Sequence, residues 1–241
     1  MRMVYKWLNS VLWALYPPVC VVCEQALPAS AVAGDLCDPC CDALPWRRGP
    51  VCGQCGQALE GHEALRCGAC LARPPAFDRL FAPLAYESPV GALITDFKFH
   101  GRLAPGRVLA GLLTDAVTAA VADAGLPLPE ALVPVPLHPA RLARRGFNQA
   151  VELARPLAGA LDLPLLTAGI RRQQDTPAQS TLTAKARRSN LRQAFAVSGP
   201  VPARVAIVDD VVTTGATVEA LARVLRGAGA EQVQVWALAR A

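Results

Sequence analysis

Val205-Ala-Ile-Val-Asp-Asp-Val-Val-Thr-Thr-Gly-Ala-Thr217 is the stretch that decides the fold of this chain. Its four leading apolar residues, Val205 to Val208, predict a buried strand, and two carboxylates, Asp209 and Asp210, stand at the carboxyl end. A turn rich in Thr and Gly then runs directly into a helix over Thr217 to Gly227. Such a turn gives a phosphate what it needs, namely unpaired N–H groups and the positive end of a helix dipole. Gly215 lets the backbone approach closely, Ala216 completes the loop, and Thr213, Thr214 and Thr217 add hydroxyl donors. Asp209 and Asp210 can accept hydrogen bonds from two ribose hydroxyls. A phosphate loop beside sugar-binding carboxylates describes a ribose 5-phosphate site. The plain alternative is an ordinary strand-to-helix turn with Thr as N-cap, which needs far less of the pattern.

Outward from this stretch the chain alternates strands and helices. Upstream, Leu80 to Tyr86 reads as a strand, Val90 to Phe99 and Leu103 to Ala124 as helices, and Ala131 to Val135 as a short buried run closed by prolines. A helix follows over Asn148 to Leu161, and Gln232 to Leu238 reads as a last strand. Strand-helix-strand alternation predicts an α/β fold, a parallel sheet with helices on both faces. Ligands of such sheets sit beyond the carboxyl ends of the strands.

The net charge of +5 is uneven. Residues 131–204 carry eleven basic against three acidic side chains, a balance of +8, while the rest of the chain is neutral to acidic. Most of these are arginines, whose planar fork of donors matches phosphate oxygens. Arg141, Arg144 and Arg145 lie just after the Ala131–Val135 run, and Arg187 and Arg188 lie further on. A solvated basic turn is the alternative for the first group.

Before Phe77 the composition differs. Eight of the nine cysteines form four C-x-x-C pairs, Cys20/Cys23, Cys37/Cys40, Cys52/Cys55 and Cys67/Cys70, separated by thirteen, eleven and eleven residues. Two thiolates two residues apart grip one tetrahedral Zn²⁺, and a second pair completes the site. Four pairs imply two structural zinc ions and an internal duplication, with Cys41 as the spare. Glycines beside the cysteines, as in Cys52-Gly-Gln-Cys55-Gly and Cys67-Gly-Ala-Cys70, suit turns of positive φ. A disulfide scaffold fits poorly with the remaining chain, and a redox dithiol uses one pair rather than four. Which pairs share a metal is open, sequential pairing being simplest. The boundaries expected are residues 1–76 for an N-terminal helix with a double zinc ribbon and 77–241 for the α/β domain.

The first residues are basic and then apolar, but Asn9, Ser10, Pro17 and Pro18 interrupt the run. Trp7, Leu8, Val11, Leu12 and Leu15 share one helical stripe, which predicts a short docked helix rather than a cleaved leader. No stretch reaches the roughly 18 apolar residues of a transmembrane segment. A cytoplasmic location is expected.

These motifs together carry a family resemblance. Asp209 to Thr217 resembles the binding signature for phosphoribosyl pyrophosphate (PRPP) of type I phosphoribosyltransferases. The whole chain resembles the ComF competence-protein family. The match runs through the paired cysteines after Pro17-Pro18, Phe97-Lys-Phe-His-Gly101, Val133-Pro-Val-Pro-Leu-His138 and Arg145-Gly-Phe-Asn-Gln149. It continues through Arg171, Gln179, Arg187, Asn190-Leu191 and Phe195 to Ala237-Leu-Ala-Arg240. The resemblance implies a type I phosphoribosyltransferase-like fold and handling of incoming single-stranded DNA during natural transformation. It gives Arg141, Arg144, Arg145 and Asn148-Gln149 a pyrophosphate–Mg²⁺ group to meet, and makes Gln173 to Arg192 a mobile flap.

Three functions compete at this level. The chain binds PRPP with Mg²⁺ and holds single-stranded DNA on its arginines; or it is a phosphoribosyltransferase acting on a nitrogen nucleophile; or it is an adaptor whose zinc module docks a DNA-uptake translocase. No side chain stands out as catalytic. Phe147 and Phe195, inside the basic stretch, are candidates either for stacking on bases or for the core.

Overall fold

The structure is a computed structural model that describes residues 18–27, 35–59, 65–123, 125–174 and 194–241. The helix expected over Trp7 to Leu15, the arginines Arg187 and Arg188, and nearly all of the Gln173–Arg192 stretch lie outside the described residues.

Two short helices, α1 (Asp38–Asp42) and α2 (Gly68–Ala72), belong to the cysteine-rich segment. The larger unit follows as β1 (Arg79–Phe81), β2 (Leu84–Ala85), α3 (Val90–Phe99), α4 (Leu103–Asp123) and β3 (Ala131–Pro134). It continues as α5 (Pro139–Arg145), α6 (Gln149–Leu161), β4 (Ile170–Arg172) and β5 (Phe195–Val197). It ends with β6 (Arg204–Val212), α7 (Ala216–Gly227) and β7 (Gln232–Arg240). The strands run in the order β1-β7-β6-β3, all parallel, with β2 paired to β7 beyond β1. β4 and β5 form a separate antiparallel pair. Among the described residues no helix is long and apolar enough to cross a membrane.

The side-chain period of two along β6 explains the layers. Ala206 and Val208 join Trp236 and Leu238 of β7 in one core, under α3, α4 and α6. Val205 and Ile207 join Val233, Val235 and Ala237 in the other, under Val218, Leu221 and Leu225 of α7 and Phe195 of β5. Helices therefore cover both faces, as the alternation predicts.

Three expectations change in detail. The strand expected over Leu80 to Tyr86 is split at Ala82-Pro83, because proline has no N–H to give and both carbonyls turn to Arg47 instead. β6 runs four residues further than Val208, so Asp209 and Asp210 lie within the strand rather than past it. The arginines after β3 occupy a short helix, α5, capped by His138, whose Nδ1 accepts from the Ala140 N–H at 3.3 Å.

The connection after β3 turns outward, where Leu132 makes a single parallel bridge to Leu165, whereas β6 feeds β7 on its other side. The strand order thus reverses between β3 and β6. The carboxyl ends of two strands whose continuations diverge are the place where open α/β sheets bind ligands.

Candidate functional site

The cysteine-rich segment is two copies of one device. Cys20, Cys23, Cys37 and Cys40 come together, as do Cys52, Cys55, Cys67 and Cys70, the sulfurs within 4.8 Å of one another in each group. Sequential pairs therefore share a site, and Cys41 belongs to neither. The backbone repeats as well. Cys20 N–H bonds to the Gln25 carbonyl as Cys52 does to Gln57, and bridges Val19–Ala26 and Val51–Ala58 flank the two turns. The residue after the second cysteine takes a left-handed conformation in both, Glu24 at φ 60° and Gly56 at φ 69°. Only Gly56 among the glycines beside these cysteines carries the positive φ expected of them; Gly53 and Gly68 do not. The first copy manages the same turn with glutamate.

In each group one thiol is drawn to ionise and another is driven against it. Burial opposes ionisation of Cys20 and Cys52, but backbone N–H groups converging on each sulfur bring both down to about 6. Cys40, hydrogen-bonded to Cys37 and beside the others, is pushed up to about 12. Burial likewise pushes Cys70 up. Four thiolates so crowded need a shared cation, and the donor sets fit two structural zinc sites.

Both ribbons are docked on the sheet. Residues 45–47 cover its outer edge, with a Trp46–Leu84 bridge, Ala85 N–H donating to the Pro45 carbonyl at 2.8 Å and Arg47 N–H to that of Pro83 at 2.8 Å. An open strand edge is thereby closed. Asp35 pairs with Arg107 of α4 at 2.5 Å, and Gln54 donates to the Phe77 carbonyl at 3.3 Å.

At the carboxyl end of β6 the two carboxylates alternate across the sheet. Asp210 shares the face of Ala206 and Val208, and its Oδ2 forms an ion pair with Lys98 Nζ from α3. The Oδ1 of Asp209 accepts from the Asp210 N–H at 2.9 Å. Both are buried. Burial, then the neighbouring Asp210 charge, pushes the Asp209 carboxyl well above its usual range, and Lys98 pulls weakly the other way. Beyond Val212 the loop is open, Thr213 and Thr214 being exposed. Gly215 takes φ 78°, a left-handed value that a side chain disfavours, and opens α7 as its N-cap. The first N–H groups of α7 have no partner within the helix, and they face the loop end where a phosphate is expected.

α5 brings arginine toward the same carboxylates. Arg145 donates to the buried Gln149 through Nη1 and lies within electrostatic reach of Asp210. Burial lowers its guanidinium pKa, and Arg141 and Arg144 add to that effect. Asn148 caps α6 by accepting from the Ala150 N–H at 3.0 Å, and its Nδ2 donates to the Val135 carbonyl at 3.0 Å. The turn between the helices is thus tied to the end of β3. The structure brings Asp209, Asp210 and Arg145 together; Arg187 and Arg188 lie outside the described residues.

The double zinc ribbon family matches residues 11–71, and the phosphoribosyl transferase domain matches residues 142–241. Competence protein F of Haemophilus influenzae is 40% identical over 226 residues, covering 92% of this chain and 96% of that protein. This chain belongs to the ComF competence-protein family. DNA utilization protein YhgH of Salmonella typhi is 40% identical over 225 residues, covering 93% of this chain and 97% of that one. A purine phosphoribosyltransferase from Pyrococcus horikoshii is a distant likeness in structure, with a TM-score of 0.32, 18% identity, and coverage of 55% of this chain and 70% of that one.

Within this ComF chain, two site residues escape sequence reasoning. Lys98 sits in the quoted Phe97-Lys-Phe-His-Gly101 motif, but nothing local shows that it reaches Asp210. Arg240 is the other. Its guanidinium donates to the carbonyls of Val212 at 3.1 Å and Cys55 at 3.4 Å, to Gln57 Oε1 at 3.3 Å, and also to Thr213 and Ala241. One side chain therefore braces the loop after β6 against the second ribbon. Replacing Arg240 with alanine strips charge-assisted bonds from several carbonyls at once. It should cost roughly 1–3 kcal/mol, a fall of several degrees in melting temperature. Hydrogen exchange at Thr213 to Gly215 should quicken; unchanged exchange there would leave Arg240 no part in ordering the loop.

Proposed function

We propose that this protein binds PRPP with Mg²⁺ in the crevice between β3 and β6 and handles single-stranded DNA during DNA uptake in natural transformation. One observation carries the reading. Two buried carboxylates and a left-handed glycine loop stand at the strand-order reversal, opposite a helix bearing three arginines. Asp209 and Asp210 would hold the ribose hydroxyls, Thr213 to Thr217 the 5-phosphate, and Arg141, Arg144 and Arg145 the pyrophosphate–Mg²⁺ group. The names of the relatives, a competence protein and a DNA utilization protein, support the DNA half of the proposal. Unpaired thiols gathered for metal agree with a reducing, cytoplasmic setting.

The DNA contact is placed on α5 and the basic stretch rather than on the ribbons, where each Cys₄ site carries a formal negative charge. Within the basic stretch Arg155 pairs with Glu152 at 3.1 Å and Arg204 with Glu130 at 3.6 Å. With about four to six phosphates neutralised, the slope of log affinity against log salt should be near −3 to −4. Replacing Arg141, Arg144 and Arg145 together with glutamine in the full chain should flatten it by about two units. Fluorescence anisotropy of a labelled oligonucleotide across a salt series reads this. A slope unmoved by the triple change would put the DNA elsewhere. Pyrophosphate release from PRPP in the presence of bases or oligonucleotides would establish a transferase; continued silence, with PRPP bound, leaves a binding protein.

A further inference from the structure

We propose that Phe99, backed by the Arg145 guanidinium, is a stacking platform for a nucleobase at the rim of the Asp209–Thr217 crevice. The inference rests on the reading of that crevice as a phosphoribosyl site. Of the aromatic side chains in the basic stretch, neither is available to a ligand. Phe195 is buried under α7, and Phe147 packs against the buried Phe97, ring centroids 5.0 Å apart. Phe99 differs. It ends α3 with 67% of its surface exposed, more than any other aromatic residue among those described. A single exposed phenyl ring is unremarkable in itself. Its surroundings are what single it out.

First, the guanidinium carbon of Arg145 lies over the ring, 5.4 Å from its centroid, so one face is taken by a cation and the other is left to solvent. A ring so placed is an aromatic–cation pair of the kind that stacks bases. Second, the ring is fixed in relation to the crevice from two sides. Lys98, the preceding residue, is ion-paired with Asp210, and Arg145 reaches toward the same carboxylate. Third, the turn after the ring is held. Asp96 accepts from His100 at 2.9 Å and from Arg102 at 3.2 Å, and the Arg102 N–H also returns to the Asp96 carbonyl at 3.4 Å. The platform is therefore ordered before any ligand arrives, which limits the entropy lost on binding.

A nucleobase meets this surface from one of two sources, a DNA strand lying along the α5 arginines or a free nucleotide in the crevice. Stacking releases no counterions, so its signature differs from that of the arginines. In the full-length protein, Phe99→Ala should weaken binding of a dT oligonucleotide carrying one 2-aminopurine by about ten- to a hundredfold, with the salt slope unchanged. Phe99→Trp should restore the affinity and the quenching of 2-aminopurine. Being exposed, Phe99 can be replaced with little change in melting temperature. Loss with the oligonucleotide alone assigns the platform to the strand; loss with adenosine 5′-monophosphate as well assigns it to the crevice nucleotide. The proposal is overturned if both probes bind Phe99→Ala as they bind the wild type, if neither binds the wild type, or if the slope flattens. Because these probes contain no PRPP, loss of PRPP binding alone would defeat the crevice reading and leave the platform standing.

Discussion

Replacing Cys52 with serine should leave the protein with one zinc ion instead of two and loosen the Thr213–Gly215 loop together with the second ribbon. Cys52 is fully buried, its sulfur accepts the Cys67 N–H at 3.3 Å, and it is the thiol of its group drawn to ionise. The loops it anchors have few apolar residues of their own, so the metal supplies most of their folding energy, on the order of 10–16 kcal/mol for such sites at neutral pH. The damage should not stop there. Arg240 holds the Cys55 carbonyl and Gln57 on one side and the carbonyls of Val212 and Thr213 on the other, so a collapsing ribbon releases the loop. Elemental analysis should give one zinc per chain, with faster hydrogen exchange at Thr213 to Gly215. Cys41→Ser is the control. That thiol's pKa is raised by burial and the nearby Asp42 and Asp38, it lies outside both groups, and the bond Cys41 accepts from Trp46 Nε1 at 2.8 Å is made by its backbone carbonyl, which serine keeps. Two zinc ions should remain. Two zinc ions retained in Cys52→Ser would sink the assignment.

The second large effect separates binding from stability at the two carboxylates. Asp209→Asn and Asp210→Asn keep shape and remove charge, and each should weaken PRPP by roughly ten- to a hundredfold, the worth of a charge-assisted hydrogen bond of about 1.5–3 kcal/mol. Their effects on the empty protein should have opposite signs. Asp210→Asn strands the Lys98 ammonium and destabilises. Asp209 is the reverse case, because burial and the Asp210 charge raise its folded pKa above the ordinary 3.8. The folded state then holds its proton more tightly than the unfolded state, so stability falls as pH rises from about 3.8 through the folded value. Asp209→Asn removes that cost. Its melting temperature should exceed the wild type's by a few degrees at pH 8, the difference shrinking toward pH 4. A lower melting temperature at pH 8 would contradict this account of the buried charge.

How far the sequence carries depends on whether the signal is local. α3 is found at Val90 to Phe99 as read, and α4 follows the expected helix through Leu103–Asp123, as far as the described residues go. Both are runs of aliphatic residues whose own pattern suffices. β6 reads too short because Asp209 and Asp210 look like the end of a buried strand. What extends it is β7, which pairs Asp209 with Ala237, Val211 with Ala239 and Val212 with Arg240, and no residue of β6 announces those partners. α5 had a legible start, Pro139 at its first position behind a capping His138, outweighed by the prolines around it. The C-x-x-C pairs are local motifs, and all eight cysteines fall in the two groups that fit zinc, while which pairs come together depends on the folding of two repeats. Lys98 and Arg240 come from distant parts of the chain, and of the two readings open to Phe147 and Phe195 their packing bears out the core.

The account stands most directly on one titration, PRPP into the full-length protein in the presence of Mg²⁺, followed by calorimetry. It predicts a saturable heat for one site per chain, weaker without Mg²⁺ and at least tenfold weaker in Asp210→Asn. A wild-type protein that gives no heat with PRPP, and none with ribose 5-phosphate or a nucleotide, would mean that the loop at Asp209 to Thr217 keeps the form of a phosphoribosyl site without its ligand.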